Sequence, residues 1–272
     1  MFTQLARTIA TLAVVLAVFI PLEARFALSP ARVLYPGVWT NLGWCLISGL
    51  VPLVVLGPPA ALLAWGVHTI LPGSVTGAAA HLPLWARMAC AVAIGEIGFY
   101  WGHRWSHEWR WLWRFHAVHH SAEHLSVLVN GRAHPVDMMF TRLCGLVLLY
   151  ATGFAAAVGP DPALVPAVVL AVSALWSYLL HANVRWRFGP FEHLVASPAF
   201  HHWHHSRDDH RDHNYAPMLP VVDRLFGTLY LPSGWPSAYG IAAPMPATLL
   251  GQLLEPFAPI PPLPSPPSPA SP

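Results

Sequence analysis

HRWSHEWRWLWRFHAVHH, residues 103–120, decides how this chain is read. It places His103 and His107 four residues apart, followed by His116, His119 and His120 at i, i+3, i+4. On a helix both spacings bring the side chains to one face. A second fork, HHWHH at 201–205, repeats the pattern with His201, His204 and His205. Fifteen of the 17 histidines fall within 103–134 and 181–213. Imidazole is the commonest transition-metal ligand, and eight at one-turn spacing exceed what a fold needs, so the pattern predicts a polynuclear metal site. Histidine ligation without cysteine suits iron, zinc, copper or nickel. Cys45, Cys90 and Cys144 are isolated in apolar stretches and read as small hydrophobes.

Outward from these clusters the chain is apolar. Of its 272 residues 55% are hydrophobic and only 10% charged, against about 25% charged in a soluble domain. A chain of this length is too short to hide so much apolar surface in its own core, so it belongs in a bilayer. Apolar runs cover 8–22, 38–71, 82–105, 138–158 and 163–180. At ~1.5 Å per helical residue, runs of this kind match the roughly 30 Å of a hydrocarbon core. The run at 8–22 has a cleaved signal peptide as its rival reading, but no small-x-small cleavage site follows. Gly57-Pro58-Pro59 breaks 38–71 into either one kinked span or two shorter pieces.

Gly159-Pro160-Asp161-Pro162 predicts a tight turn, making a hairpin of 138–158 and 163–180. The segments before and after that hairpin then lie on one side of the membrane, and they carry the two histidine clusters. All 14 basic residues are arginines, and all but Arg7 and Arg87 flank that side, which the positive-inside rule assigns to the cytoplasm. A net charge of only +2, dispersed along the chain, excludes a nucleic-acid partner. WRWLWRF at 109–115 fits the membrane interface. The expected fold is all-α: an integral-membrane helical bundle of four to five spans with a cytoplasmic histidine-rich helical cap. Three regions follow, namely 1–81 as an N-terminal transmembrane region, 82–232 as a metal-binding core, and 233–272 as a proline-rich tail, disordered after about 258.

Further polar residues fall near the clusters. Glu96 and Tyr100 continue the His103–His107 stripe backwards, and a carboxylate inside an apolar span needs a partner, so Glu96 is a candidate to hold a ligating imidazole. His134 and His181 sit at span ends facing the clusters and are candidate additional ligands. His202 faces away from its neighbours' stripe, and His68, His81, His124, His193, His210 and His213 are assigned to solvent or packing. Ser197-Pro198 supplies an N-cap and first-turn proline for a helix carrying the second fork.

EIGFYWGHRWSH (96–107), FHAVHHSAEHL (115–125), RAHP (132–135), HANVRWRFGPFEHLVASPAFHHWHH (181–205) and HNYAPMLPVVDRLFGTLY (213–230) together resemble the fatty acid hydroxylase/sterol desaturase superfamily of integral-membrane di-iron enzymes. LLGQLLEPF (249–257) is similar to bacterial members, which implies a bacterial inner membrane. The resemblance runs from about Gly95 to Phe257. It implies that His103, His107, His116, His119, His120, His201, His204 and His205 hold two iron ions. Two positions depart from the family pattern: His202 stands where arginine is common and Ala216 where glycine is common.

The resemblance further implies O2 as co-substrate, a lipid C–H bond as target, and hydroxylation narrowly ahead of desaturation. No nicotinamide or flavin glycine fingerprint is present, so electrons come from a separate reductase, ferredoxin or cytochrome. Glu123 and Asn214 join Glu96 as candidates to support the ligands from behind. A metal transporter is the alternative from another class, but transport sites lie near the bilayer midplane and these histidines flank span ends. A di-haem electron carrier fits adjacent His-His pairs poorly. A zinc-dependent membrane hydrolase lacks its HExxH motif.

Overall fold

Helix α1 (Phe2–Phe26) takes up the first apolar run and extends it at both ends. Gln4, Arg7, Glu23 and Arg25 are good helix formers, so the helix outruns the hydrophobic stretch that marks it. The computed structural model describes residues 2–30, 35–51, 55–73, 78–155 and 164–259. Among these residues the chain is all-helical, with one isolated bridge between Ser206 and Tyr239 and no strand. Thr3–Phe26 is the one described helix long and apolar enough to cross a bilayer, with a mean hydropathy of 2.2. The expected turn at 159–162 and the tail from 260 lie outside the described residues.

Val15 and Phe19 of α1 bury against Val38 and Cys45 of α2 (Val38–Val51) and against a 3-10 turn at Val127–Gly131. Helix α3 (Gly57–Ile70) has proline in its first turn at the Gly-Pro-Pro position, and residues 52–54 between it and α2, with the choice between one kinked span and two pieces, lie outside the described residues. Helix α4 (Leu84–Glu108) carries the first histidine pair on its last turns. Trp109 leaves helical geometry (φ −93°, ψ 112°), and α5 (Arg110–His120) restarts beyond it with the first fork.

Helix α6 (Pro135–Ala151) packs along α4. Glycine makes this approach close: a Cβ on Gly98 would sit 2.5 Å from the Cys144 carbonyl oxygen and 2.8 Å from Gly145 Cα. At its N-terminus the His134 ring accepts from the Val136 amide and Pro135 fills the first turn, so the His-Pro pair is a cap.

Helix α7 (Leu164–His181) ends on His181 and packs against α4, the 127–131 turn and the short helix α8 (Pro198–His204). Ser197 caps α8 by accepting from the Phe200 amide, as its sequence implies. Helices α9 (Pro220–Leu225) and α10 (Leu249–Leu254) complete the order. Residues 233–258 lie over the cap: Trp44 donates to Gln252 at 2.7 Å, Trp203 donates to the Gly234 carbonyl, and Arg114 donates to the Ala258 carbonyl.

Candidate metal centre

Helix pitch sorts the histidines. In α5, His116 and His120 are one turn apart and project together, while His119 points to the other side of the same face. In α8 and the residue that follows it the same sorting recurs, with His201 and His205 together and His204 apart, but here the pair joins His119 and the single ring joins His116 and His120. His103 and His107 come from α4 and His181 from the end of α7.

The result is two adjoining groups. His103, His107, His116, His120 and His204 form one; His119, His181, His201 and His205 form the other, and within each the ligand nitrogens lie within 4.8 Å of one another. The groups share a wall where the His120 and His205 rings stack at 4.5 Å between centroids.

Hydrogen bonds outside the groups fix which nitrogen faces inward. His103 Nδ1 donates to the Tyr215 carbonyl at 2.7 Å, His204 Nδ1 to the His213 carbonyl at 2.8 Å, His119 Nδ1 to the Arg132 carbonyl at 3.0 Å, and His181 Nδ1 to the Ser177 carbonyl at 2.8 Å. A carbonyl only accepts, so each of these rings carries its proton on Nδ1 and presents a bare Nε2 lone pair. Two further rings lean on carboxylates: His116 Nδ1 on Asp137 Oδ2 and His107 Nδ1 on Asp212 Oδ1, both at 3.0 Å.

The inward atoms then collide electrostatically. Nε2 of His103 lies 3.1 Å from Nε2 of His116, and Nε2 of His119 lies 3.2 Å from Nε2 of His181. Nε2 of His107 and of His204 are buried with no hydrogen-bond partner. Lone pairs converging in a buried site are stable only around a cation, so both groups fit metal ions. Burial, reinforced by neighbouring imidazoles, holds His119, His120, His201, His204 and His205 well below the usual imidazole range, in the neutral form that ligates. Tyr215 and Trp113 lie over His107 at 5.1 Å, closing that side with aromatic surface.

The eight motif histidines all enter these groups, and His181 joins them as a ninth. His134 does not. Its Nε2 donates to the Leu253 carbonyl, and its other nitrogen caps α6. Nor does Glu96 hold an imidazole: its Oε2 accepts the Met218 and Leu219 amides at 2.8 and 2.9 Å, tying α4 to the segment before α9. Asn214 acts on backbone too. Left-handed at φ 59°, it donates to the Phe200 and Tyr230 carbonyls and accepts from the Tyr230 amide. Glu123 pairs with Arg207 at the surface.

His202 is buried outside both groups, bonded to the Tyr239 hydroxyl and the Ala182 carbonyl. His68, His81 and His193 are exposed, His124 packs on Tyr35, and His210 bonds Asp208. The ring of His213 is in neither group, although its carbonyl orients His204. Asp137 and Asp212 are the carboxylates that sequence reasoning missed. The signal for Asp137 is an acid in the first turn of an apolar helix, directly after a cap; Asp212 is one of several acids in a polar stretch and carries no such mark.

The family model of the fatty acid hydroxylases matches residues 88–228. The chain is 35% identical over 178 residues to ornithine lipid hydroxylase OlsE of Rhizobium tropici, covering 65% of this chain and 52% of that enzyme. It is 31% identical to alkylglycerol monooxygenase of Danio rerio over 55% of this chain and 32% of the relative. It is 28% identical to methylsterol monooxygenase 2-2 of Arabidopsis thaliana over 54% of this chain and 55% of the relative. The chain thus spans about half or less of the length of these relatives. No solved structure matches it. The matched stretch begins inside α4 and ends beyond α9, taking in every histidine of both groups, and the chain belongs to the fatty acid hydroxylase family.

Proposed function

We propose that this chain is a membrane-bound, O2-dependent di-iron oxidoreductase that hydroxylates a C–H bond of a lipid. The observation that carries the reading is the pair of adjoining all-imidazole groups, five and four strong, whose inward nitrogens converge within 4.8 Å of one another in each group. The first would be held by His103, His107, His116, His120 and His204, the second by His119, His181, His201 and His205. When bound, the two irons supply the redox chemistry by which R–H + O2 + 2e⁻ + 2H⁺ becomes R–OH + H2O. The electrons come from a separate donor protein.

The chain's own residues do the rest. Outward Nδ1–H bonds lock the tautomer and tilt of His103, His107, His116, His119, His181 and His204, so most of the ligand geometry is set before metal arrives. Tyr215 and Trp113 keep bulk water from His107. Hydroxylation is favoured over desaturation because the relatives are named as a hydroxylase and as monooxygenases. Exposed Ile9, Val14, Val18, Trp65, Ile70 and Leu175 support a bilayer as the surrounding medium, with the arginine-rich side in the cytoplasm and several helices crossing.

Metal analysis of the purified, detergent-solubilised protein tests this, with His116→Ala alongside. About two irons per chain in the wild type, a loss in the variant, and one labelled oxygen atom from O2 in a lipid alcohol are expected. Stoichiometric haem, or no metal held by these histidines, overturns it.

A further inference from the structure

The two imidazole groups are supported from outside in different ways. Around the five-histidine group two rings lean on carboxylates. Asp137, buried beneath His116, holds its second oxygen 3.1 Å from Ser106 Oγ. Asp212 reaches His107 from the turn at Asp209–Asp212. Around the four-histidine group no described carboxylate bonds an imidazole. His119 and His181 donate to backbone carbonyls, and Nδ1 of His201 and His205 has no partner. The residue whose carbonyl takes His119 is Arg132, a buried guanidinium held by Val118, Ser121 and Asn41 oxygens and by no carboxylate.

A carboxylate on Nδ1–H pulls the ring toward imidazolate and strengthens Nε2 as a donor, and it places a full negative charge near the cation. A carbonyl contributes only a dipole. Arg211, 3.8 Å from Asp212, offsets part of one charge and leaves Asp137 untouched. Resting on the metal reading above, we propose that the groups are inequivalent: Asp137 and Asp212 are positioning residues that make the five-histidine group the tighter cation site, filled first.

Titration of the chelator-stripped full chain in detergent with Co²⁺, followed by its visible absorption, tests the order of filling. Two steps are expected. His181→Ala, which cuts into the four-histidine group, should remove the weaker step and leave the tighter one in place. Asp212→Asn should weaken the tighter step by about tenfold or more and leave the weaker one unchanged, since removing such outer partners typically costs 10–100-fold in affinity. Asp212 is half-exposed, so this variant keeps its fold, and circular dichroism checks both proteins. Asp208→Asn, on an exposed acid bonded to His210, should change neither step. Loss of the tighter step in His181→Ala, a shift of the weaker step in Asp212→Asn, or two equal sites overturns the proposal while leaving the metal reading standing. No Co²⁺ bound by the wild type overturns both.

Discussion

The N-terminal helices and the histidine cap obey opposite rules of burial. In α1 and α3 large apolar side chains face outward: Val14 is 63% exposed, Leu62 65% and Trp65 66%. In the cap, polar groups fill the inside: Arg132, Asp137, Asn214, Asp223 and the histidines of both groups are buried. On the bilayer setting proposed above, the difference is one of solvent. Apolar surface left outside is stable where the medium is itself apolar, whereas polar groups taken inside must find every partner within the chain. The cap meets that demand mostly with backbone carbonyls and amides, which is why so much of it is irregular chain between short helices.

The largest effect that would break this contrast is Arg132→Leu. The guanidinium satisfies Val118 O, Asn41 Oδ1 and Ser121 Oγ inside the cap. Leucine leaves Asn41 Oδ1 buried and unpaired and Val118 O with only the Ser121 hydroxyl, and removes a charged donor from both, so a loss of about 3 kcal/mol is expected in denaturant titration of the detergent-solubilised protein. A neutral result would mean that water reaches these groups.

Next comes Asp223, which accepts the Tyr215 and Ala216 amides and the Thr228 hydroxyl, yet burial still raises its carboxyl to about 6. With a folded value above the unfolded 3.8, the fold binds this proton more tightly than the unfolded chain does. Its contribution therefore grows as pH falls from about 6 to about 4 and fades as pH rises through about 6. The shift of about two units corresponds to about 3 kcal/mol at most. Asp223→Asn cannot titrate, so the stability difference between wild type and variant should move in favour of the wild type over that fall. A difference independent of pH would place the carboxyl in water.

The third test sharpens the other half of the contrast. Val14→Ser with Val18→Ser removes apolar surface that faces outward on α1. In reconstituted bilayers the pair should cost about 1 kcal/mol per residue, because that surface leaves an apolar medium. No cost, or improved solubility without detergent, would give α1 an aqueous surround.

Sequence reading reached the histidines of both groups because helical periodicity alone decides which of them share a face. The forks at 116–120 and 201–205 needed no tertiary knowledge to be seen, and Ser197-Pro198 marked the start of α8. The division into five and four was not legible, since it depends on how α5 and α8 cross. His134 and His181 look alike in sequence, each at the end of an apolar run. One is a cap bonded to the Leu253 carbonyl and the other a member of a group, and only the packing of α7 on α8 separates them. Glu96 was rightly singled out as a buried acid in need of partners, but those partners are amides 122 and 123 residues away, a separation no local pattern encodes.

The smallest effect belongs to Glu123, three residues beyond the first fork and therefore conspicuous in sequence. Its carboxylate lies 2.8 Å from Arg207, with side-chain exposures of 69% and 44%. Water screens a pair so exposed, and holding two long side chains in one geometry costs entropy, so such pairs contribute about 0–1 kcal/mol. No imidazole of either group touches it. Glu123→Gln should therefore leave metal content and turnover at wild-type levels and change stability by less than about 1 kcal/mol. A matching change for Arg207→Gln, vanishing at high salt, would confirm that the two act only on each other. Loss of metal in Glu123→Gln would instead extend the polar interior of the cap outward to this loop, and the boundary between its inside and outside would have to be redrawn there.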